Sequence, residues 1–270
     1  MMNLLIKTPL FSKLILALLL FGAGLPACTS KPTTPTGGEI TLYTTRAEHL
    51  IKPILDLYEK ETGQKIRYMT DGPGPLLERL RAEGAETPAD ILMTVDAGNL
   101  WQASQSGLIQ PVSSAVLEKN IPAHLRDPNG EWFGLSVRAR TAFYNPEKVQ
   151  ATDLSSYEDL ASEKWKGRLC LRSSSSVYNQ SLVAALISHH GKEKTEQIVS
   201  GWVNNLATDV FANDTSLLEA IAAGQCDVGL ANTYYFGRLM KERPDFPVKL
   251  HWVKMNGSGT HLNISGAALT

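Results

Sequence analysis

"CDVGLANTYYFGRL", residues 226–239, changes character halfway along. Residues 226–232 read as a strand, and the chain then turns into a helix with two adjacent tyrosines, Tyr234 and Tyr235, at the junction. Upstream, "GRLCLRS" (167–173) reads as a strand, followed by helices at 179–191 and 194–207. A strand at "ATDVF" (207–211) and a helix at "DTSLLEAIAAG" (214–224) complete the unit. Strand alternating with helix implies a mostly parallel sheet flanked by helices.

The first third of the chain follows the same plan. "EITLYTT" (39–45) reads as a strand, and residues 48–63 as a helix whose apolar stripe is Leu50, Ile51, Ile54, Leu55 and Tyr58. A strand at 65–69, a Gly/Pro turn at 71–75 and a helix at 76–84 come next. The apolar strand "ADILMTV" (89–95) then leads into a helix over 96–107, with Asp96 as its N-cap. Residues between this helix and 167 read as irregular. The expected fold is therefore α/β with two lobes, each a mostly parallel sheet, and a ligand cleft between them at the carboxyl ends of the strands. The boundaries expected are 39–136 plus 262–270 for lobe 1 and 137–261 for lobe 2.

Composition narrows the class. Apolar residues make up 43% of the 270-residue chain and charged residues 20%, with a formal net charge of −1. That is a soluble globular balance, with no basic excess to suggest nucleic acid. Residues 1–27 carry Lys7 and Lys13, an apolar run from Leu14 to Phe21 and then small residues, the layout of a secretory signal peptide. "LPAC" resembles a lipobox that would leave Cys28 lipidated and anchored to a membrane, with residues 28–38 as a flexible tether. The expected location is the periplasm or cell envelope. Export permits a disulfide between Cys170 and Cys226; two separate buried thiols fit the sequence equally well.

Chemistry concentrates at strand ends. "RSSSSVYNQS" (172–181) repeats the design of the opening stretch: a strand end, hydroxyl residues, then a tyrosine, Tyr178, where a helix begins. The first unit offers Arg46, Glu48 and His49 at the matching place. Phenolate is a hard anionic oxygen donor, suited to a hard cation such as Fe3+. Serines at a helix start also suit an anion. An organic phosphate or other oxyanion held by "RSSSS", Arg46 and Arg140 is the alternative, though it gives no reason for three tyrosines at strand ends. An enzyme is disfavoured, because no nucleophile motif, P-loop or GxGxxG is present.

The segments "VDAG" (95–98), "RSSSSVYNQSL" (172–182), "ANDTS" (212–216), "ANTYYFGRL" (231–239) and "GTHLNISG" (259–266) span nearly the whole mature chain. Together they resemble the ferric-iron-binding periplasmic proteins of ABC transporters, the two-lobed class with two interlobe crossings. The resemblance implies Fe3+ ligation by Tyr178, Tyr234 and Tyr235. It also implies a carbonate-like synergistic anion at Arg46 and Asn179, hinge closure and delivery to an ABC-transporter permease by a monomer. Many such proteins read "SRHY" where this chain reads "TRAEH" (45–49), so the first-lobe ligand expected here is the Glu48 carboxylate, or else water or an anion in its place. Such proteins also continue beyond this chain's C-terminal strand for several helices, so a shortened chain is expected.

Overall fold

The computed structural model describes residues 38–270. The signal sequence, Cys28 and all but the last residue of the tether lie outside the described residues.

The first half is built as the alternation predicts. Strands β1 (Ile40–Thr44), β2 (Ile66–Thr70) and β3 (Ile91–Thr94) run parallel, with β1 central. Helices α1 (Glu48–Thr62), α2 (Pro73–Glu83) and α3 (Ala97–Gln105) connect and cover them. Successive strand residues face opposite ways, so β1 feeds two cores. Leu42 packs with Ile51 and Leu55 of α1 on one face. Tyr43 packs with Leu76, Leu80, Leu92 and Leu100 on the other. The buried line of α1 is narrower than the expected stripe: Ile51 and Leu55 are covered, whereas Leu50, Ile54 and Tyr58 are exposed. The helix meets the sheet along a single i, i+4 line. Asp96 does cap α3, its side chain accepting the Gly98 amide at 2.9 Å.

The stretch that reads as irregular holds a short helix, α4 (Ala115–Asn120), and the longest strand of the protein's described part, β4 (Phe133–Tyr144). Beyond it lie β5 (Leu169–Cys170), α5 (Val177–His190), α6 (Lys192–Asn204), α7 (Asp214–Ala222), β6 (Val228–Asn232) and α8 (Thr233–Glu242). The strands β7 (Lys249–His251) and β8 (Leu262–Leu269) close the chain. The strand read at 207–211 does not form. Only isolated bridges at Leu206 and Phe211 touch this edge, and β5 keeps two residues of the seven expected.

The sheet order is β2-β1-β3-β8-β4-β6-β5, with β7 also on β4. It is more mixed than strand–helix alternation alone predicts, because β8 and β4 run antiparallel to their neighbours. β4 belongs to both lobes. Phe133 to Ala139 pair with β8, and Arg140 to Tyr144 pair with β6. The segment from β7 to β8 makes the second crossing. One hydroxyl ties the two together: Tyr157 Oη donates to the Arg140 carbonyl at 2.6 Å and accepts the His261 amide at 3.0 Å. The second lobe again has two cores, one around Trp165, Trp202, Leu182 and Leu230, the other around Phe143, Leu217, Ile221 and Ala231.

Cys170 and Cys226 are joined in a disulfide that bridges 56 residues and is buried in the second of these cores. Of the two readings open in the sequence, the structure realises the bridge. The link restricts the unfolded chain. A Cys170→Ala/Cys226→Ala variant is expected to lose about 2–5 kcal/mol of stability, measured as a lower midpoint in guanidinium unfolding.

His261 lies at the second crossing, 9% exposed. Burial first, then the Arg138 and Arg140 guanidiniums, push its imidazole down to about 4. An unfolded histidine titrates near 6.5, so below that pH the unfolded chain binds a proton that the folded one refuses. Stability from this group is complete above about pH 6.5 and falls as pH drops toward 4, by on the order of 3 kcal/mol. Urea unfolding between pH 7 and 4.5 should show this slope, and a His261→Gln variant should flatten it.

Candidate functional site

All three sequence-predicted tyrosines stand in the first turns of helices. Tyr178 is the second residue of α5, and Tyr234 and Tyr235 follow Thr233 at the start of α8. β6 ends at Asn232 and α8 begins at the next residue, so the strand delivers both phenols directly to its carboxyl end. Tyr234 Oη donates to Tyr178 Oη at 3.2 Å. The Tyr234 and Tyr235 rings lie 4.3 Å apart between centroids. Three phenols from two separate helices therefore share one place.

They line a cleft of about 560 Å³ whose opposite wall comes from the first lobe. That wall includes Arg46, Ala47 and His49 from the β1–α1 turn, and Ser265 from β8. Arg138 of β4 and Arg238 of α8 also line it. Among the described residues no cluster of three or more His, Cys, Asp or Glu side chains could hold a metal.

The electrostatics around Tyr178 pull two ways. Burial raises its phenol above the ordinary value, while the Arg138 and Arg172 guanidiniums act to lower it. These guanidiniums sit 4.8 and 5.3 Å from the ring centre. Tyr234 is raised further, by burial first and then by Tyr178 and Tyr235. Both phenols thus carry their protons at neutral pH. Arg138 Nη1 and Arg172 Nε and Nη1 are buried without a hydrogen-bond partner among the described residues.

A second network lies beneath. Asp96, fully buried, accepts Arg138 Nη2 at 2.7 Å, Ser181 Oγ at 2.7 Å and Asn263 Nδ2 at 3.0 Å. Ser181 is one helical turn beyond Tyr178 on α5, so this carboxylate joins the first lobe to the helix that carries a phenol.

The remaining predicted residues divide. Arg46 reaches the cleft, where Nη2 donates to Ser265 Oγ at 2.7 Å. Glu48 does not: its carboxylate is exposed and accepts the Tyr68 hydroxyl at 2.9 Å, a bond that raises the Tyr68 phenol. The helix turn that aims Glu48 at β2 brings His49 to the cleft instead. Asn179 is not free for an anion either. Its Oδ1 accepts Arg140 Nε at 3.0 Å, and its Nδ2 donates to the Arg172 and Ser173 carbonyls at 2.7 and 3.2 Å. Arg138 was the residue the sequence reading missed. The signal was "RAR" (138–140), two arginines at alternate positions within an apolar run, which a strand aims at one face.

Fold and cleft define a two-lobed binding protein, with its ligand site between lobes at strand ends. Residues 86–258 match the bacterial extracellular solute-binding protein family, and the chain belongs to that family. The chain is 42% identical over 257 residues to iron uptake protein A1 of Synechocystis, covering 91% of this chain and 71% of that protein. Among solved structures, it resembles a Trichodesmium protein in complex with iron and citrate ligands at 46% identity and a TM-score of 0.77, covering 86% of this chain and 75% of that one. A ferric binding protein from Campylobacter jejuni aligns at 35% identity and a TM-score of 0.81, covering 86% and 76%.

Proposed function

We propose that this protein is the exported binding component of an iron(III) ABC transporter, capturing Fe3+ in the interlobe cleft and handing it to a membrane permease. The observation that carries this reading is the convergence of Tyr178, Tyr234 and Tyr235, with two phenol oxygens already 3.2 Å apart. Three hard anionic oxygens suit a hard trivalent cation, and bound iron replaces the protons that the phenols hold in its absence. Lobe 1 comprises 39–136 and 262–270, lobe 2 comprises 137–261, and β4 with the β7–β8 segment forms the hinge. Closure brings Arg46 and His49 over the metal. A carbonate-like anion completes the site from Arg46 and the unpartnered edge of Arg138. Glu48 and Asn179, engaged elsewhere, are outside the proposed ligand set. The body acts as a monomer, tethered through residues 28–38 to a lipid at Cys28. The iron-uptake and ferric-binding relatives support this reading, as does the membership of a family of solute-binding proteins.

Titrating the chain with ferric nitrilotriacetate in bicarbonate buffer should produce a visible phenolate-to-iron charge-transfer band that saturates at one iron per chain. Tyr178→Phe should weaken iron binding by at least about tenfold, the equivalent of about 1.4 kcal/mol, and diminish the band. A colourless chain that binds phosphate instead would replace iron with an oxyanion.

Iron binding must release phenol protons, so affinity should fall as pH drops, by up to about tenfold per unit for each phenol displaced. Competition against a chelator, corrected for its own protonation between pH 7.5 and 5.5, measures this. A flat profile would exclude phenolate ligation.

A further inference from the structure

Arg140 sits in the middle of β4 with its side chain 1% exposed and makes no hydrogen bond to Tyr178, Tyr234 or Tyr235. Its guanidinium reaches three polar side chains and one carbonyl. Nε donates to Asn179 Oδ1 at 3.0 Å. Nη1 donates to Asp214 Oδ2 at 3.0 Å and to Asn232 Oδ1 at 3.2 Å. Nη2 donates to the Leu230 carbonyl at 2.9 Å. Asn179 directly follows Tyr178 at the start of α5, and Asn232 is the residue on which α8 begins, two before Tyr234. Asp214 opens α7, and the same Oδ2 also accepts the Asn232 amide at 2.9 Å.

The cap of α8 shows what this arrangement displaces. Asparagine at an N-cap ordinarily turns its side-chain oxygen onto a first-turn amide. Asn232 makes no such bond, and its oxygen faces Arg140. The helix start is anchored to β4 rather than to itself.

We propose that Arg140 is a positioning residue for the phenol cluster. It fixes the first turns of α5 and α8 relative to each other, and thereby sets the separation and direction of Tyr178 and Tyr234 at which both can share one cation. The inference rests on the ferric reading for its cargo. Arginine is required because a planar fork of five donors reaches Asn179, Asp214 and Asn232 in fixed directions. A lysine ammonium would keep the charge but not the fan of contacts. A purely stabilising role is the competing account, and buried ion pairs are often no more stabilising than an apolar pair of similar volume.

The test uses the full chain with ferric nitrilotriacetate in bicarbonate buffer and two variants. Arg140→Lys keeps the charge, and Arg140→Met/Asp214→Leu removes the pair without leaving an unpaired buried charge. Thermal melting reports the fold; the position and intensity of the charge-transfer band report the site. Both variants should fold and bind iron at least about tenfold more weakly, with a shifted or weakened band. Folded variants with an unaltered band and affinity would overturn the proposal. If neither variant folds, Asn232→Ser keeps a capping side chain but loses the reach to Arg140, and an unmoved band there would overturn it equally. If the unaltered protein itself shows no band, the ferric reading fails. A crystal structure of iron-free Arg140→Lys then decides the matter: phenol oxygens still 3.2 Å apart would overturn the positioning role, and separated ones would support it.

Discussion

Two guanidiniums buried two residues apart on one strand constrain everything around them. A cation withdrawn from water must be paired and hydrogen-bonded, or the fold loses several kcal/mol for each. On β4, Arg138 finds Asp96 and Arg140 finds Asp214. Each aspartate is itself fully buried at the start of a helix, Asp96 before α3 in the first lobe and Asp214 at the head of α7 in the second. The strand that serves both lobes is therefore locked to each by a charge pair of its own. Asp214 also lies 3.8 Å from Arg172 Nη1, so the second-lobe carboxylate sits between two guanidiniums. The backbone adds a third lock through the Tyr157 hydroxyl, which spans both crossings.

The proposed phenol site sits at helix starts held by this frame. The first turn of a helix carries unsatisfied amides and the positive end of its dipole, so negative charge is favoured there. Tyr178, Tyr234 and Tyr235 occupy such turns, and Arg138 and Arg172 flank Tyr178 as well. Burial and mutual proximity oppose ionisation when no cation is present. The net effect holds the phenols protonated, so in the proposed reading their charged forms would be realised only in exchange for a cation.

What was legible in the sequence followed local rules. Strand-to-helix junctions at 44–48, 94–97 and 232–233 each carry an apolar run ending in capping or hydroxyl residues, and the structure places them within a residue or two. The positions of Tyr178, Tyr234 and Tyr235 at helix starts were readable because they sit on such junctions. β4 was not readable, since "FGLSVRARTAFY" mixes exposed Leu135 and Val137 with buried arginines. Its apolar period is broken by charges whose partners lie 42 and 74 residues away. Glu48 and His49 show the same limit at small scale. A helix rotates successive side chains by about 100°, so neighbours in sequence point to different surroundings. Only the packing of α1 on β1 and β2 decides which faces the cleft. Asn179 was misjudged for a related reason, because its amide looks free until a guanidinium from a strand 39 residues earlier is placed against it.

Charge accounting in the cleft bears on the anion. In the proposed ferric site three phenolates and one Fe3+ would sum to zero, and the pair formed by Arg138 with Asp96 adds nothing to the balance. Arg46 and Arg238 line the cleft without a carboxylate partner, while Arg172, beside Tyr178, reaches Asp214 only at 3.8 Å. Arg46 donates its side chain to the Ser265 hydroxyl and Arg238 to the Thr215 hydroxyl, both neutral acceptors. Closure would confine two cations in a space from which water is largely expelled, where their repulsion strengthens as the local dielectric falls. Under the proposed ferric reading, a small dianion such as carbonate would remove that penalty, and its oxygens would fill metal positions that the first lobe, with Ala47 in the cleft and Glu48 turned away, does not supply. On the ferric reading, the first-lobe stretch "TRAEH" (45–49) and the guanidiniums of Arg46 and Arg238 would then belong to one design, in which the closing lobe contributes charge for an anion instead of a phenolate of its own.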